Sequence, residues 1–390
     1  MSAASVAVPV RVDARSMSRL SVAHALTDMC QGAVPALLPT LIAERGLNLA
    51  SAASLVSITS IGSAVVQPLF GIWADRISAP LLAPLGVALA GLGLGAVGFC
   101  HSYLALALAV ALSGMGVALF HPEAARMANM VGGGSVRGMS YFSVGGNTGF
   151  AIGPLVVLLV LSLGGISATP LLAVPGLLIA VVLVVDIERL KGHIARAHAR
   201  TAAAAAEPEQ WGPFVRLVGA AVARTAPFFA LMAFIPIYAV RQLGASHALG
   251  SLALTMMLMC GACGTLIGSR CADRFGKRLV LVWAMLPLTL LLLLLPHLAL
   301  LPMLATLCLV GFAIDAPFAT TVVLGQQYLP GRRGLASGIT LGLAIGAGGL
   351  VATVLGVIAD AIGIHDMLML LPVFSALALA LVATLPDPRG

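Results

Sequence analysis

The chain of 390 residues is 60% hydrophobic, only 9% charged and carries a net charge of +7. A soluble domain carries roughly 25% charged residues, so this composition excludes a water-exposed globular enzyme. What has to be counted is therefore membrane spans, each needing about 20 apolar residues.

Apolar runs broken by Gly, Pro and charge predict twelve spans, near residues 20–43, 53–73, 81–99, 103–122, 139–162, 168–186, 213–240, 249–269, 279–297, 302–324, 335–359 and 364–385. The fold expected is an all-α polytopic membrane protein with both termini on one face. Arg11, Arg15 and Arg19 before the first span imitate a signal-peptide start. The segment is too long, holds Asp28 and lacks a small-residue cleavage site, so it is expected to stay in the chain.

Asp28 and His24 stand at i, i+4 in the first span and share a helix face. An ionisable group within a span costs about 2.5–3.5 kcal/mol on insertion scales, so the pair is expected to face an aqueous cavity. A carboxylate in a low-dielectric cavity takes up a proton more readily than one in water, which is what a proton carrier needs. The alternative is a structural tie to a neighbouring helix. The fourth span ends in His121-Pro122-Glu123, with Arg126 one turn on. A Glu123–Arg126 ion pair is the plain reading; a gate or part of a proton path is the other. In the fifth span Gly145, Gly149 and Gly153, the last followed by Pro154, line one face, a spacing that lets two backbones approach closely. Gln31, Asn147, His121 and Tyr238 are candidate hydrogen-bond partners for a substrate.

Residues 188–212 form the linker, between bundles at 1–187 and 213–390. Arg224, in the seventh span, is the basic residue set well inside an apolar run. A guanidinium stays charged and grips planar or tetrahedral anions through several donors, so Arg224 is the candidate anion site. Asp315 in the tenth span, two residues before Pro317, is a further candidate for the proton path. Asp360 is expected at the outer end of the eleventh span.

Of the 21 Lys and Arg, only Arg45 and Arg241 fall on loops opposite the termini, besides Arg224 within its span. This satisfies the positive-inside rule, puts both termini in the cytoplasm and explains the basic charge without nucleic acid. Six cysteines in or beside apolar runs form no disulfide framework. No Cys/His set has metal-ligand spacing and no phosphate-cradling Gly-rich loop appears. Neither metal, cofactor nor ATP is expected.

The second half repeats the first. Ala74-Asp75-Arg76 matches Ala272-Asp273-Arg274, Gly46 matches Gly244, Pro122 matches Pro317, and Arg137-Gly138 matches Arg333-Gly334. Gly145, Gly149 and Gly153 match Gly338, Gly342 and Gly346. Two pseudo-symmetric six-helix bundles are expected, with the substrate between them near mid-membrane. Arg224 then occupies the position equivalent to Asp28, and the two are expected to face each other across the pseudo-twofold axis.

This architecture resembles the major facilitator superfamily. Gly71-Ile-Trp-Ala-Asp75-Arg76 and Ala272-Asp273-Arg274-Phe275-Gly276-Lys277-Arg278 resemble its loop motif. His24-x-x-x-Asp28-x-x-Gln31, Gln67-Pro68-x-x-Gly71, Phe120-His121-Pro122-Glu123 and Val144-Gly145-Gly146-Asn147-x-Gly149 resemble the fosmidomycin-resistance branch of drug exporters. The resemblance implies a monomeric secondary transporter of a bacterial inner membrane, exporting a small anionic or amphiphilic toxic compound, such as a phosphonate antibiotic, in exchange for protons. Import of an organic acid with protons is the alternative. It also implies that Asp75, Arg76, Asp273 and Arg274 lock the cytoplasmic side, and that Gly149, Gly153 and Pro154 belong to an antiporter signature.

Overall fold

The computed structural model describes residues 12–47, 49–77, 79–204 and 208–386. Among them the chain is helical almost throughout. In the first half run α1 (Ala14–Arg45), α2 (Leu49–Ile77), α3 (Leu82–Ala96), α4 (Tyr103–Val131), α5 (Val136–Gly164) and α6 (Ala173–Ala204). In the second run α7 (Trp211–Leu243), α8 (His247–Phe275) and α9 (Lys277–Leu294), then α10 (Leu300–Asp315) with α11 (Phe318–Tyr328). The last two spans are α12 (Arg333–Ser337) with α13 (Ala344–Ile362), and α14 (Ile364–Leu368) with α15 (Leu371–Ala383).

The ends follow from local chemistry. Asp13, Ser102, Ser135 and Ser246 accept backbone N–H bonds at the starts of α1, α4, α5 and α8, satisfying donors a helix cannot satisfy itself. Gly46 and Gly244 end α1 and α7 with φ of 64° and 66°. This left-handed turn suits glycine, and its recurrence at matched positions supports the internal repeat.

Nine stretches among the described residues are long and apolar enough to cross a membrane. One of them, Val136–Glu188, has 53 residues, about twice a span, and turns at Gly165 with φ 60°. With that stretch counted as two, α1 and α2, of 32 and 29 residues, complete the twelve. Large apolar side chains such as Leu69, Phe99, Leu155, Trp283 and Leu301 are exposed on the surface, as lipid-facing residues are.

Three features depart from the sequence reading. α6 runs to Ala204 instead of ending near residue 186, because the Ala-rich stretch with interspersed charges favours helix; much of the expected linker is therefore helical. The tenth span is broken at Ala316-Pro317 between α10 and α11, since proline lacks the N–H the helix needs. The eleventh contains a π-helical stretch, Gly338–Leu343, between α12 and α13. The side chains of Arg76 and Asp360 lie outside those described.

Each half has its own apolar core, one reaching from Met29 to Leu172 and the other from Phe214 to Leu385. A further cluster joins Met17, Leu20, Phe120 and Phe142 to Ala272, Ala319 and Val322, closing the halves on the face that carries the termini. Two reciprocal caps reinforce it. Asp75 of α2 accepts from Gly334 N and Leu335 N at the start of α12, at 2.7 and 2.9 Å. Asp273 of α8 accepts from Val136 N and Arg137 N at the start of α5, at 3.0 Å each. Each half thus supplies a carboxylate to a helix N-terminus of the other, where the dipole favours negative charge. Ser269 Oγ donates to Ser140 Oγ at 2.9 Å beside the second cap.

The seam between α1 and α5 depends on glycine. A Cβ at Gly149 would collide with the Ala25 carbonyl, and one at Gly153 would lie 2.7 Å from that of Met29. Gly149→Val is expected to lower stability by about 1–3 kcal/mol, read as a fall in thermal unfolding midpoint, while Gly212→Ala, with open space around it, leaves the midpoint in place. Removing the caps should loosen the closed face. With Ser269→Cys as reporter, in a background lacking the six native cysteines, the double variant Asp75→Ala/Asp273→Ala is expected to be alkylated on the order of tenfold faster, each cap contributing about 0.5–2 kcal/mol.

Candidate functional site

Ionisable candidates gather inside the spans of each half. In the first half, α1 turns His24 and Asp28 toward α4, where His121 meets them. His24 Nε2 lies 3.2 Å from Asp28 Oδ2 and His121 Nε2 lies 3.1 Å from Asp28 Oδ1. The two Nε2 atoms are 3.1 Å apart. Each imidazole is fixed from behind: His24 Nδ1 donates to the Phe142 carbonyl at 2.8 Å and His121 Nδ1 to that of Val117 at 2.9 Å. The His24 ring also stacks on Phe142, centroids 4.1 Å apart. A carbonyl only accepts, so each Nδ1 carries a hydrogen; when the ring is neutral its Nε2 lone pair then faces inward, and when it is protonated Nε2 donates toward Asp28. Asp28 Oδ1 finds no hydrogen-bond donor among the described residues. Two imidazole nitrogens and the Asp28 carboxylate therefore converge. Gly146 of α5 makes the room, since a Cβ there would lie 2.5 Å from His24 Nε2 and 2.6 Å from Asp28 Oδ2.

In the second half, Arg224 of α7 reaches α10. Its Nη1 donates to the Ile314 carbonyl at 2.7 Å and stands 3.7 Å from Asp315 Oδ1. Its Nε has no acceptor among the described residues. The guanidinium lies 5.8 Å from the centroid of the Phe318 ring. Beside it is a water-sized gap of about 10 Å³ lined by Leu217, Ala221, Met285 and Thr321. A 3.7 Å contact through one nitrogen is a loose ion pair beside the bidentate geometry arginine can adopt.

Asp28 and Arg224 do not pair with each other. Each charge takes its partners from its own half, because a buried charge must be neutralised by groups packed directly against it. His24, Asp28 and His121, which no metal-ligand spacing in the sequence singles out, offer ligand atoms that converge. Their spacing along the chain conceals this.

The remaining candidates divide. Gln31 and Asn147 are half-buried and make no side-chain hydrogen bond among the described residues. Tyr238 is not free to meet a substrate. It is buried, its hydroxyl donates to the Pro296 carbonyl at 2.9 Å and stands 3.3 Å from His365 Nδ1, tying α7 to the turn after α9 and to α14. Glu123 and Arg126 form the bidentate pair, at 2.9 and 2.6 Å, with Glu123 fully buried. The pair lies within electrostatic range of Asp75, tying it to the closed face. Arg274 is exposed, its guanidinium 5.1 Å from the centroid of the Phe275 ring. Gly149, Gly153 and Pro154 build α5 and its seam with α1. Asp186, missed in the sequence reading, is buried near the end of an apolar span and paired with Arg19; an acid closing such a run was the available signal.

Comparison with known proteins places the fold in a family. A profile of the Major Facilitator Superfamily matches residues 20–352 and 217–390. The chain is 31% identical over 380 residues to the fosmidomycin resistance protein of Escherichia coli, covering 96% of this chain and 93% of that protein. It is also 31% identical over 380 residues to an uncharacterized MFS-type transporter of Bacillus subtilis, covering 93% and 91%. Among solved structures, the Escherichia coli fucose:proton symporter FucP matches with a TM-score of 0.76 at 17% identity, over 97% of this chain and 100% of that one. The proton:xylose symporter XylE matches with a TM-score of 0.71 at 13% identity, over 95% and 96%. By sequence match over almost its whole length and by its all-helical fold, the chain belongs to the Major Facilitator Superfamily, in its fosmidomycin-resistance-type branch, as a multi-pass membrane transporter of small molecules and not an enzyme.

Proposed function

We propose that this chain is a proton-linked exporter of a small organic anion, held at Arg224 and moved by alternating access of the bundles 1–187 and 213–390. The observation that carries the anion site is the loosely held guanidinium: buried, with an unfilled Nε and a carboxylate 3.7 Å away. An anion with two or more oxygens completes its bonding better than Asp315 does. Similarity to a protein named for fosmidomycin resistance supports export and a phosphonate-type cargo. The bias of Lys and Arg supports cytoplasmic termini in a bacterial inner membrane. The reciprocal caps then close the cytoplasmic side. The transporter works as a monomer.

Asp315 is the proton-sensitive partner. Ionised, it shares Arg224 with the substrate; protonated, it releases the guanidinium. This favours a second reading, proton-linked import of an organic acid, because a proton on Asp315 and an anion on Arg224 assist each other's binding. The two readings differ in sign. In proteoliposomes with an imposed pH gradient and fosmidomycin as probe, antiport accumulates the phosphonate in the more acidic compartment, and symport in the more alkaline one.

Arg224→Ala is expected to weaken phosphonate binding at least tenfold, as loss of a charge-assisted bond of about 1.5–3 kcal/mol implies; undiminished affinity makes Arg224 structural. Asp315→Asn should keep counterflow exchange of the phosphonate yet lose its dependence on the pH gradient. A gradient response equal to that of the unmodified chain removes Asp315 from coupling.

A further inference from the structure

We infer that His24, Asp28 and His121 form a binding site for a divalent first-row transition ion of the zinc class. Three independent features of the geometry lead there. The first is the donor set: two imidazole nitrogens and one carboxylate, the combination that takes Zn2+, Co2+, Ni2+ or Fe2+ in preference to Mg2+ or Ca2+.

The second is the shape. The two Nε2 atoms are 3.1 Å apart, Asp28 Oδ1 lies 3.1 Å from His121 Nε2, and the other carboxylate oxygen, Oδ2, lies 3.2 Å from His24 Nε2. Metal–ligand bonds of about 2.0–2.1 Å place neighbouring ligand atoms about 2.9 Å apart at octahedral angles and about 3.3 Å apart at tetrahedral ones. The separation of the two nitrogens falls between these values, and each carboxylate oxygen stands at a similar distance from one nitrogen, so Asp28 straddles the position an ion would take between the imidazoles. The third is preparation from behind. With both rings neutral, each Nε2 lone pair is aimed inward because each Nδ1–H is bound to a backbone carbonyl, of Phe142 and of Val117. Metal-ligating histidines are held in this way.

The surroundings agree. His24 and His121 are 3% and 6% exposed, so their lone pairs cannot turn to solvent. The Asp28 side chain keeps 15% of its exposure, leaving one side of the cluster open to an entering ion and to its remaining ligands. Gly146 supplies the clearance on the α5 side. With Asp28 ionised and both imidazoles neutral, a divalent ion gives the cluster a net charge of one, and converging lone pairs that repel one another become ligands.

This inference stands apart from the reading of Arg224, since it is tested by binding without transport. The purified full-length protein is titrated with Co2+, whose visible bands report its ligands. One Co2+ per chain is expected, displaced by Zn2+ but not by millimolar Mg2+. His24→Gln and His121→Gln should each weaken binding by at least tenfold, whereas His297→Gln, His365→Gln and Asp315→Asn leave it unchanged. X-ray absorption on the Zn2+-loaded unmodified chain, which no misfolded variant can confuse, should find two imidazoles and oxygen at about 2.0–2.1 Å. No stoichiometric Co2+, equal competition by Mg2+, a first shell without two imidazoles, or loss of binding in the His297 or His365 variants each overturns the assignment.

Discussion

A charge inside an apolar slab must be neutralised by whatever lies within a few ångströms, because neither water nor distant charges reach it effectively. That constraint orders the interior of this transporter. Asp28 is met by two histidines, Glu123 by Arg126, Asp186 by Arg19 and Arg224 by Asp315 and a backbone carbonyl. Every one of these pairings stays within a single half. The halves are therefore free to move against each other without stranding a charge, which a carrier working by alternating access requires.

The joint between halves uses gentler chemistry. Carboxylates on helix N-termini, a hydroxyl pair and an apolar cluster hold the termini face shut. A cap contributes about 0.5–2 kcal/mol, and its donors and acceptors can return to water when the face opens. Two such contacts related by the internal repeat give a closed state that is secure and still reversible.

The spans were legible because hydropathy is a property of composition along the chain. The repeat was legible because it preserves Asp75 and Asp273, Gly46 and Gly244. The cap positions were legible only as a resemblance. What escaped was helix rotation. Equivalence of Asp28 and Arg224 along the chain fixes their depth but not the direction each side chain takes. α1 turns Asp28 toward α4, and α7 turns Arg224 toward α10. The convergence of His24 with His121 joins residues 97 apart in sequence, so no local spacing announces it. Tyr238 misled for a related reason: a buried hydroxyl looks the same in sequence whether a ligand or the Pro296 carbonyl accepts from it.

The break at Ala316-Pro317 changes what Arg224 means mechanically. The carbonyl of Ile314 belongs to the last turn of α10, where helical partners run out, and the guanidinium braces it from the neighbouring helix. An anion drawing Arg224 aside would thus withdraw a prop from an elbow as well as exchange one charge for another. Below the elbow, α11 leads to the strand of chain that feeds the Asp75 cap. Were cargo to bind at Arg224, it would gain leverage over the latch at the rim, through a lever whose fulcrum is a missing proline N–H.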